Sequence, residues 1–373
     1  MKIIFQAIGV LVHYNFALPH YLTRMEGIEE IRLLIGLFPI FMGGYYYLHR
    51  PPKKLRATIY KSGVDFIDKQ CLSGLLGVRR LNHVVQKPHK YDVIHLNSPE
   101  HLVSFEKLKI PKLFVLHGSP DNINTQGCKA LEELYSKVDA FVAVSFHAAR
   151  MLRNKCDFEP THVIHHGVDV ELFNPLTYSK NQARRVLGLP EDKKIILWNA
   201  RLSPEKKIET LLYAIPKVLK SYKNLMLVVK TRAVDKAYKM KVKKLVKKLN
   251  LDKHVLFDES WTPLTKLPPY YRAVDVYVNT STSEAFGSLT MLEAMACGVP
   301  TIANKASSNP EAVGDGGLLY NYNDPLDLAE KIVELLNNEK LMRTMSRKAV
   351  NRVVKELQLR NTAMTYLRVY ANL

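Results

Sequence analysis

The chain has 373 residues, of which 47% are hydrophobic and 24% are charged. This length exceeds what one hydrophobic core usually organises, so two domains of roughly 150–200 residues each are expected. Apolar residues are plentiful and no low-complexity tract is present, which excludes a disordered or fibrous protein. The formal net charge of +19 calls for an anionic partner or for a strongly charged, solvated surface.

The cysteines and clustered histidines bear on redox compartment and metal binding. The four cysteines stand alone in the sequence: Cys71, Cys128, Cys156 and Cys297. Without a Cys-x-x-Cys pair we expect no disulfide framework, and a cytoplasmic location in a reducing compartment. His162, His165 and His166 lack a cysteine at zinc-finger spacing, so we expect no metal site.

The N-terminal segment reads as a buried strand. Residues 1–10 contain one lysine and no long apolar run before a cleavage site, so a signal peptide is not expected. Residues 33–48 are uncharged but include Pro39, and they fall short of the ~20 residues that a spanning helix needs. We predict a buried strand and a loop there, with an interfacial, membrane-contacting segment as the alternative.

Short apolar runs alternate with helical stretches along the whole chain, which predicts parallel α/β units. In the first half, strands are predicted at 3–8, 31–35, 93–96, 112–116, 140–144 and 162–165, and helices at 129–136 and 146–155. In the second half, strands are predicted at 194–198, 225–229, 255–257, 276–279, 301–303 and 318–320, with a helix at 208–220. Asn174-Pro175 interrupts the pattern and marks a domain boundary. From residue 327 onward the sequence is almost wholly helical.

A lysine-rich segment at 236–248 is predicted to form an amphipathic helix. Its apolar stripe comprises Tyr238, Met240, Val242, Leu245, Val246 and Leu249. Lysines occupy the other face, which indicates either a solvated docking helix or a helix attracted to an anionic membrane surface. Nucleic acid is not expected as a partner, because no recognisable nucleic-acid module accompanies the charge.

The segment 283–300 carries the strongest local signal. It runs from a strand end through Gly287 into a helix that stops at Gly298, just before Pro300. Backbone amides at such a helix start suit a phosphate. Glu293 lies on the core side of this helix, where a carboxylate needs a hydrogen-bonding partner. Sugar hydroxyls or a donor within the protein would both serve.

A second signal follows the strand at 194–198. Arg201 and Lys206 flank a turn directly after that strand. Two cations in this position suit a diphosphate, the arginine through its planar fork and the lysine as a point charge. Solvated surface side chains are the alternative interpretation.

Together these segments resemble family 4 of the retaining GT-B glycosyltransferases over nearly the whole chain. The matching stretches are HGVD at 166–169 with LFNP at 172–175, NARLSPEK at 199–206, and EAFGSLTMLEAMACGVP at 284–300. DVIH at 92–95, VLHG at 115–118 and VS at 144–145 match strand ends of the family's N-terminal domain. The resemblance implies two Rossmann-like, doubly wound domains facing a cleft, with a C-terminal helical segment.

The resemblance also implies roles for individual residues. Arg201 and Lys206 would hold the donor diphosphate and stabilise the leaving nucleotide. Glu284 would bind hydroxyls of the transferred sugar, and Glu293 the ribose hydroxyls. The other members of the implied site are Phe286, Gly287, Ser288 and Leu289 on the donor side, and His13, His117 and Ser145 on the acceptor side. The catalytic set would be His117, Arg201, Lys206 and Glu284, with no metal ion and no cofactor besides a UDP- or GDP-sugar as donor.

The sequence departs from the family pattern in ways that concern the site. Eight residues separate Glu284 from Glu293, one more than is usual, and an extra residue within the helix would rotate Glu293 by about 100°. The glycine-rich N-terminal loop is replaced by GVLVHYN at 9–15. Ala200 and Lys207 stand where the Arg–Lys motif usually has glycines, and Lys230-Thr231-Arg232 replaces a Gly-Asp-Gly turn.

The predicted organisation is an acceptor-binding domain at 1–175, a nucleotide-sugar domain at 176–340, and helices at 341–373 that return to the first domain. The predicted function is metal-independent, retaining sugar transfer to a glycan, a lipid or a protein-linked glycan, on the cytoplasmic side, with peripheral membrane association as an option. One alternative is an epimerase or phosphorylase of the same fold. Another is a basic membrane- or nucleic-acid-binding protein with a decayed site.

Overall fold

The computed structural model describes residues 1–7, 18–19, 21–22, 24–36, 55–60, 91–97, 108–233 and 235–373. Contacts between Cα atoms divide the chain into two compact units. The first unit comprises Met1–Gly167 together with Leu359–Leu373, and the second comprises Val168–Gln358. The predicted domain ranges, 1–175, 176–340 and 341–373, remain predictions.

The first unit contains a parallel sheet whose described strands are arranged in the order β3-β2-β1-β4-β5-β6-β7. The strands are β1 (Lys2–Ala7), β2 (Glu30–Gly36), β3 (Leu55–Tyr60), β4 (Val93–Leu96), β5 (Lys112–Leu116), β6 (Ala140–Ala143) and β7 (His162–Val163). Crossing from β1 to β4 reverses the direction of winding, as in a Rossmann-like domain. Six of these strands coincide with predicted strands, whereas β3 was not predicted.

Two helices of the first unit follow β5 and β6, namely α1 (Thr125–Tyr135) and α2 (Phe146–Cys156). The side chain of Asn124 caps α1 by accepting a hydrogen bond from the Gly127 amide at 2.8 Å. Cys128 in α1 forms a disulfide with Cys156 at the end of α2. The expectation that the cysteines would not pair is therefore wrong, because the packing of α1 against α2 brings together two residues that are 28 positions apart.

The second unit is a six-stranded parallel sheet in the order β10-β9-β8-β11-β12-β13. Its strands are β8 (Lys194–Leu202), β9 (Leu225–Ala233), β10 (Val255–Asp258), β11 (Val276–Asn279), β12 (Thr301–Asn304) and β13 (Gly317–Tyr320). The strand order reverses between β8 and β11, and ligands of doubly wound sheets bind at the carboxyl ends of strands beside such a reversal. The predicted strands agree with these six.

The helices of the second unit connect its strands and cover the sheet. They are α3 (Lys180–Leu187), α4 (Ile208–Ser221), α5 (Lys236–Lys248), α6 (Pro268–Arg272), α7 (Leu289–Ala296), α8 (Asn309–Val313), α9 (Pro325–Asn337) and α10 (Glu339–Glu356). The last helix, α11 (Leu359–Ala371), belongs to the first unit. The lysine-rich segment forms α5, in which Tyr238, Val242 and Val246 of the predicted apolar stripe are buried. Met240, which was also assigned to the stripe, is instead 60% exposed, because a residue two positions from Tyr238 and Val242 does not share their helix face.

Within the described ranges, no helix is long and apolar enough to cross a bilayer. The predicted buried strand at 31–35 lies within β2. Residues 37–48, the rest of the uncharged segment, lie outside the described residues.

Candidate active site

Arg201 and Lys206 lie at the carboxyl end of β8 in the second unit. Arg201 is in the last part of the strand, with a half-exposed side chain whose guanidinium is 3.7 Å from the Glu205 carboxylate. Lys206 ends the 3₁₀ turn Pro204–Lys206 that follows. Its carbonyl accepts a hydrogen bond of 2.6 Å from the Thr280 hydroxyl, which ties this turn to the end of β11. The turn is therefore fixed by the neighbouring strand.

The Lys206 ammonium and the Glu284 carboxylate form the central contact of the site. Nζ of Lys206 is 2.6 Å from Oε1 of Glu284, and the two side chains are only 12% and 13% exposed. Nζ also lies 3.4 Å from the hydroxyl of Ser281. The structure thus brings together two residues from separate sequence motifs, 78 positions apart in the chain. A nearly buried ion pair of this kind persists only because each charge compensates the other.

Two serines that sequence reasoning did not select hold the Glu284 loop in place. The Ser307 and Ser308 hydroxyls both donate to the carbonyl of Glu284 at 2.7 Å. The Ser308 hydroxyl also accepts a hydrogen bond of 2.9 Å from the Gly287 amide. Both serines follow the end of β12, so their position after a strand end was the available signal.

Gly287 gives the loop its shape at the start of α7. Its φ of +49° lies in the left-handed region, and an added Cβ would stand 2.6 Å from Met291 Cε and 2.7 Å from Ala312 Cβ. The Gly287 amide donates its hydrogen bond to Ser308, so in this conformation the amide is bonded within the protein. Ser288 caps α7 by accepting from the Met291 amide at 3.2 Å, and Phe286 is buried. The predicted donor contacts of residues 286–289 remain predictions.

Glu293 is buried on the core side of α7, and it has the protein donor that the sequence left open. The Tyr271 hydroxyl donates to Oε2 of Glu293 at 2.5 Å, and the Asn199 amide donates to the Tyr271 oxygen at 2.9 Å. Burial raises the pKa of Glu293 to about 8, although the bond from Tyr271 works against this rise. At neutral pH this carboxyl group holds its proton, so it can donate as well as accept a hydrogen bond. Its contact with ribose remains a prediction.

The predicted acceptor-side residue His117 belongs to a hydrogen-bonded cluster in the first unit. Oδ1 of Asn97 accepts from Nε2 of His117 at 2.6 Å and from Nε2 of His95 at 3.0 Å. With its proton on Nε2, His117 accepts at Nδ1 from Nε2 of His166 at 3.0 Å. His95 likewise accepts at Nδ1 from the Tyr370 hydroxyl at 2.6 Å, which links β4 to α11. The cluster therefore fixes one tautomer of each ring.

Burial keeps the imidazoles of this cluster neutral. It lowers the pKa of His95 and of His117 to about 3. The pKa of His166 is also lowered well below its usual value, first by burial and then by the neighbouring His117 and His165. A neutral His117 with both ring nitrogens in hydrogen bonds is suited to a positioning role at the carboxyl end of β5. Sequence reasoning selected His117 but missed Asn97, which follows β4.

Of the two remaining acceptor-side residues, Ser145 and His13, the structure describes only Ser145. The Ser145 hydroxyl is buried and caps α2 by accepting from the Ala148 amide at 2.9 Å. His13 lies outside the described residues. Within the described part of the chain, no group of three His, Cys, Asp or Glu side chains is arranged to hold a metal ion.

Comparison with known families identifies both halves of the chain. The model described as "Glycosyl transferases group 1" matches residues 179–352, and the model described as "Glycosyltransferase Family 4" matches residues 36–172. The two matches together cover most of the sequence, in the order expected for a two-domain transferase.

Two relatives of this chain are identical to it at about a third or fewer of the aligned positions. A D-inositol 3-phosphate glycosyltransferase of Mycolicibacterium smegmatis is 34% identical over 208 residues, which are 55% of this chain and 44% of that protein. A lipopolysaccharide core biosynthesis mannosyltransferase of Rhizobium meliloti is 28% identical over 64% of this chain and 67% of that protein. The match with the first of these relatives thus spans less than half of that relative's length.

Solved structures share the fold over the whole chain. Anabaena HepE, in complex with UDP and glucose, has a TM-score of 0.78 at 22% identity, with 100% of both chains covered. Sucrose-phosphate synthase of Thermosynechococcus elongatus has a TM-score of 0.76 at 20% identity, with 100% of this chain and 98% of that chain covered. The protein therefore has the two Rossmann-like domains of the GT-B fold. By its sequence, the chain belongs to the group 1 glycosyl transferases of family 4.

Proposed function

We propose that this protein transfers a sugar from a nucleoside diphosphate sugar to an acceptor. The observation that carries the proposal is the Lys206–Glu284 ion pair at the strand ends of the second unit, with Arg201 on the same strand end. A diphosphate would be met by the two cations, and the sugar hydroxyls by the carboxylate. Positive charge already in place where a phosphate leaves stabilises the transition state without further reorganisation.

We propose that the transfer needs no metal ion and retains the anomeric configuration. Arg201 and Lys206 supply positive charge of the kind that a divalent cation supplies in metal-dependent transferases. Retention rests on membership of the family. Analysis of the anomeric configuration of the product, with and without a chelator in the assay, tests both statements.

A UDP- or GDP-sugar is the proposed donor, and a glycan, lipid or protein-linked glycan the proposed acceptor. Support for the uridine nucleotide comes from HepE, a protein of the same fold that was solved with UDP-glucose. Support for varied acceptors comes from relatives named for an inositol phosphate and for a lipopolysaccharide core. In this proposal Glu293 contacts the ribose, while His117, Ser145 and His13 lie on the acceptor side.

The decisive experiment screens nucleotide sugars with the full chain. UDP-, GDP- and ADP-sugars are compared by thermal stabilisation, and hydrolysis or transfer is then assayed with each donor that binds. We expect one nucleotide class to raise the melting temperature and to release nucleoside diphosphate on turnover. A protein that binds none of them would have lost the donor site.

The same assay separates the alternative reactions of this fold. A phosphorylase would incorporate labelled inorganic phosphate into a sugar phosphate, and an epimerase would convert the nucleotide sugar without releasing the nucleotide. Neither product is expected here, because the proposed role of Arg201 and Lys206 is to stabilise a departing diphosphate.

We also propose an anionic membrane surface as a partner on the cytoplasmic side. The net charge of +19 and the lysine face of α5 support it. Binding to vesicles that contain phosphatidylglycerol should weaken as salt is added, because screening shortens the reach of surface charge. Equal binding to uncharged vesicles would contradict this proposal.

A further inference from the structure

A lysine-lined cavity of about 570 Å³ lies in the second unit, among α4, α5 and the turn before α9. Lys241, Lys244 and Lys248 of α5 line it, together with Lys207 at the start of α4. The three α5 lysines share one helix face, since they are three and four residues apart. Four lysines therefore line one concave surface.

The carboxylates at this cavity do not balance these charges. Among the described residues that line it, Glu209 is the one with an acidic side chain. The Glu209 carboxylate accepts a hydrogen bond from the Tyr238 hydroxyl at 2.5 Å and lies 3.4 Å from the Lys241 ammonium. Lys207, Lys244 and Lys248 form no ion pair with a carboxylate of the described residues. An uncompensated group of like charges in a concave site favours binding of an anion.

The amino-terminal ends of two helices, α4 and α9, lie at this cavity. Lys207 precedes the first residue of α4, and Pro325, which begins α9, also lines the cavity. The amino-terminal end of a helix carries a partial positive charge, which disfavours nearby lysines. Lys207 is thus beside a helix end of the same sign, whereas Lys248 lies in the last turn of α5, where a cation is favoured.

A second basic cavity of about 700 Å³ in the same unit provides a contrast. There Arg272 lies in the last turn of α6 and donates to the carbonyl of Cys297, the residue that caps the end of α7. Cations at carboxyl-terminal helix ends satisfy free carbonyls and the helix dipole. Arg272 of that second cavity therefore has a structural role that Lys207 of the first cavity lacks.

Neutral polar groups and apolar groups around the first cavity indicate which chemical groups the bound anion contains. Thr210 and Asn323 line the cavity, and the Thr210 hydroxyl is 3.4 Å from Oδ1 of Asn323. Tyr213, which also lines the cavity, is half exposed. Tyr322 and Leu326, the sequence neighbours of Asn323 and Pro325, are exposed as well. Polar groups beside the lysines suit phosphate oxygens, and the exposed apolar groups suit a carbon skeleton attached to them.

We propose that this cavity binds the phosphate group of a phosphate ester, at a site separate from the donor site at Lys206. The ester is either a phospholipid headgroup or a soluble sugar or glycerol phosphate, which present the same phosphate chemistry. The proposal does not depend on the reaction that the protein performs.

The test uses the full chain and two triple variants of α5 that remove equal charge. One variant carries Lys241→Gln, Lys244→Gln and Lys248→Gln, which line the cavity. The other carries Lys236→Gln, Lys243→Gln and Lys247→Gln, which lie on the same helix outside the cavity. Titration calorimetry measures the affinity for glycerol 3-phosphate, and co-sedimentation measures binding to phosphatidylglycerol–phosphatidylcholine vesicles. Circular dichroism confirms that both variants are folded.

We expect the cavity variant to bind more weakly than the control variant, by about tenfold for each lysine that no longer meets the phosphate. Such a decrease for glycerol 3-phosphate identifies a soluble ester, and a decrease confined to vesicles identifies a lipid headgroup. Equal weakening in both variants, or no binding of either probe to the unaltered protein, overturns the proposal. Donor hydrolysis is measured in parallel and should be unchanged in the cavity variant, so a failure here is distinguishable from a failure of the donor site.

Discussion

Lys206 and Glu284 compensate each other's charge in the structure, so each side chain depends on the other. With 12% and 13% exposure, neither side chain is fully hydrated, so removal of one leaves the other with an uncompensated charge. A diphosphate sugar would offer each a new partner. The pair therefore serves folding and the proposed chemistry together, and a mutation affects both.

We predict that Lys206→Ala lowers turnover by roughly a hundredfold or more, because it removes one positive charge at the departing diphosphate. The free energy of unfolding should also fall, by about 1–3 kcal/mol, since Glu284 is left without its partner. Steady-state kinetics and urea unfolding measure the two effects separately.

Lys217→Ala is the matched control for this change. Lys217 forms an exposed ion pair with Glu330 at 2.8 Å, and such surface pairs contribute only about 0–1 kcal/mol. Normal turnover in a folded Lys206→Ala protein would show that this lysine does not stabilise the leaving group.

Glu293 predicts an unusual pH dependence of stability. Its pKa of about 8 in the folded protein exceeds the ordinary value of 4.5, so between these values the folded state holds a proton that the unfolded state has released. Stability therefore falls as pH rises through this window, by about 5 kcal/mol at most. Glu293→Gln mimics the protonated form and should remove this fall. Melting temperatures measured across the window test it, and identical pH profiles for both proteins would contradict it.

At the scale of elements, Gly287 shapes the loop that presents Glu284. We predict that Gly287→Ala destabilises the protein by more than the ~1–2 kcal/mol that left-handed backbone costs an L-residue, because the new Cβ also meets Met291 and Ala312. Turnover should fall as well, since the loop must shift. Urea unfolding and kinetics measure these effects.

Gly188→Ala isolates the backbone contribution. Gly188 also has a positive φ, +64°, but an added Cβ there meets nothing within 4 Å. Its substitution should cost only the left-handed strain. If the two variants are destabilised equally, close packing around Gly287 contributes nothing measurable.

Sequence patterns predicted the strands of both sheets well where apolar runs are continuous. The strand β3, LRATIY, was not predicted because Arg56 and Thr58 interrupt its apolar residues; it is the outermost of the described strands of its sheet. The sequence was sufficient to place the motif residues at strand ends, but it did not identify the residues that hydrogen-bond to them. Ser307, Ser308 and Asn97 come from other strand ends, and only the folded sheet shows which ends are neighbours. The Cys128–Cys156 disulfide was missed because only the packing of α1 against α2 brings these two cysteines together.

At the scale of the whole molecule, the two units should respond to pH in opposite directions. In the first unit, His95 and His117 have pKa values lowered to about 3 from an ordinary 6.5. The unfolded chain therefore binds more protons below 6.5, and the stability of this unit falls as pH drops. In the second unit, Glu293 produces the reverse trend over the range where these windows overlap.

Hydrogen exchange at about pH 5 and about pH 8, corrected for intrinsic exchange rates, distinguishes the units. We expect β4, β5 and α11 to become less protected at the lower pH, and α7 at the higher pH. A uniform change across both units would contradict the assignment of these groups to buried, neutral positions.

Because α11 belongs to the first unit, synthesis and folding follow different orders. The ribosome completes all of Val168–Gln358 before it makes the helix that supplies Tyr370 to His95. Domains generally fold as they emerge, the N-terminal one first. Here His95 of β4 lacks its Tyr370 partner while Val168–Gln358 is made, so the first unit is completed only afterwards. The first unit of a nascent chain is therefore exposed to chaperones or proteases until α11 has been translated.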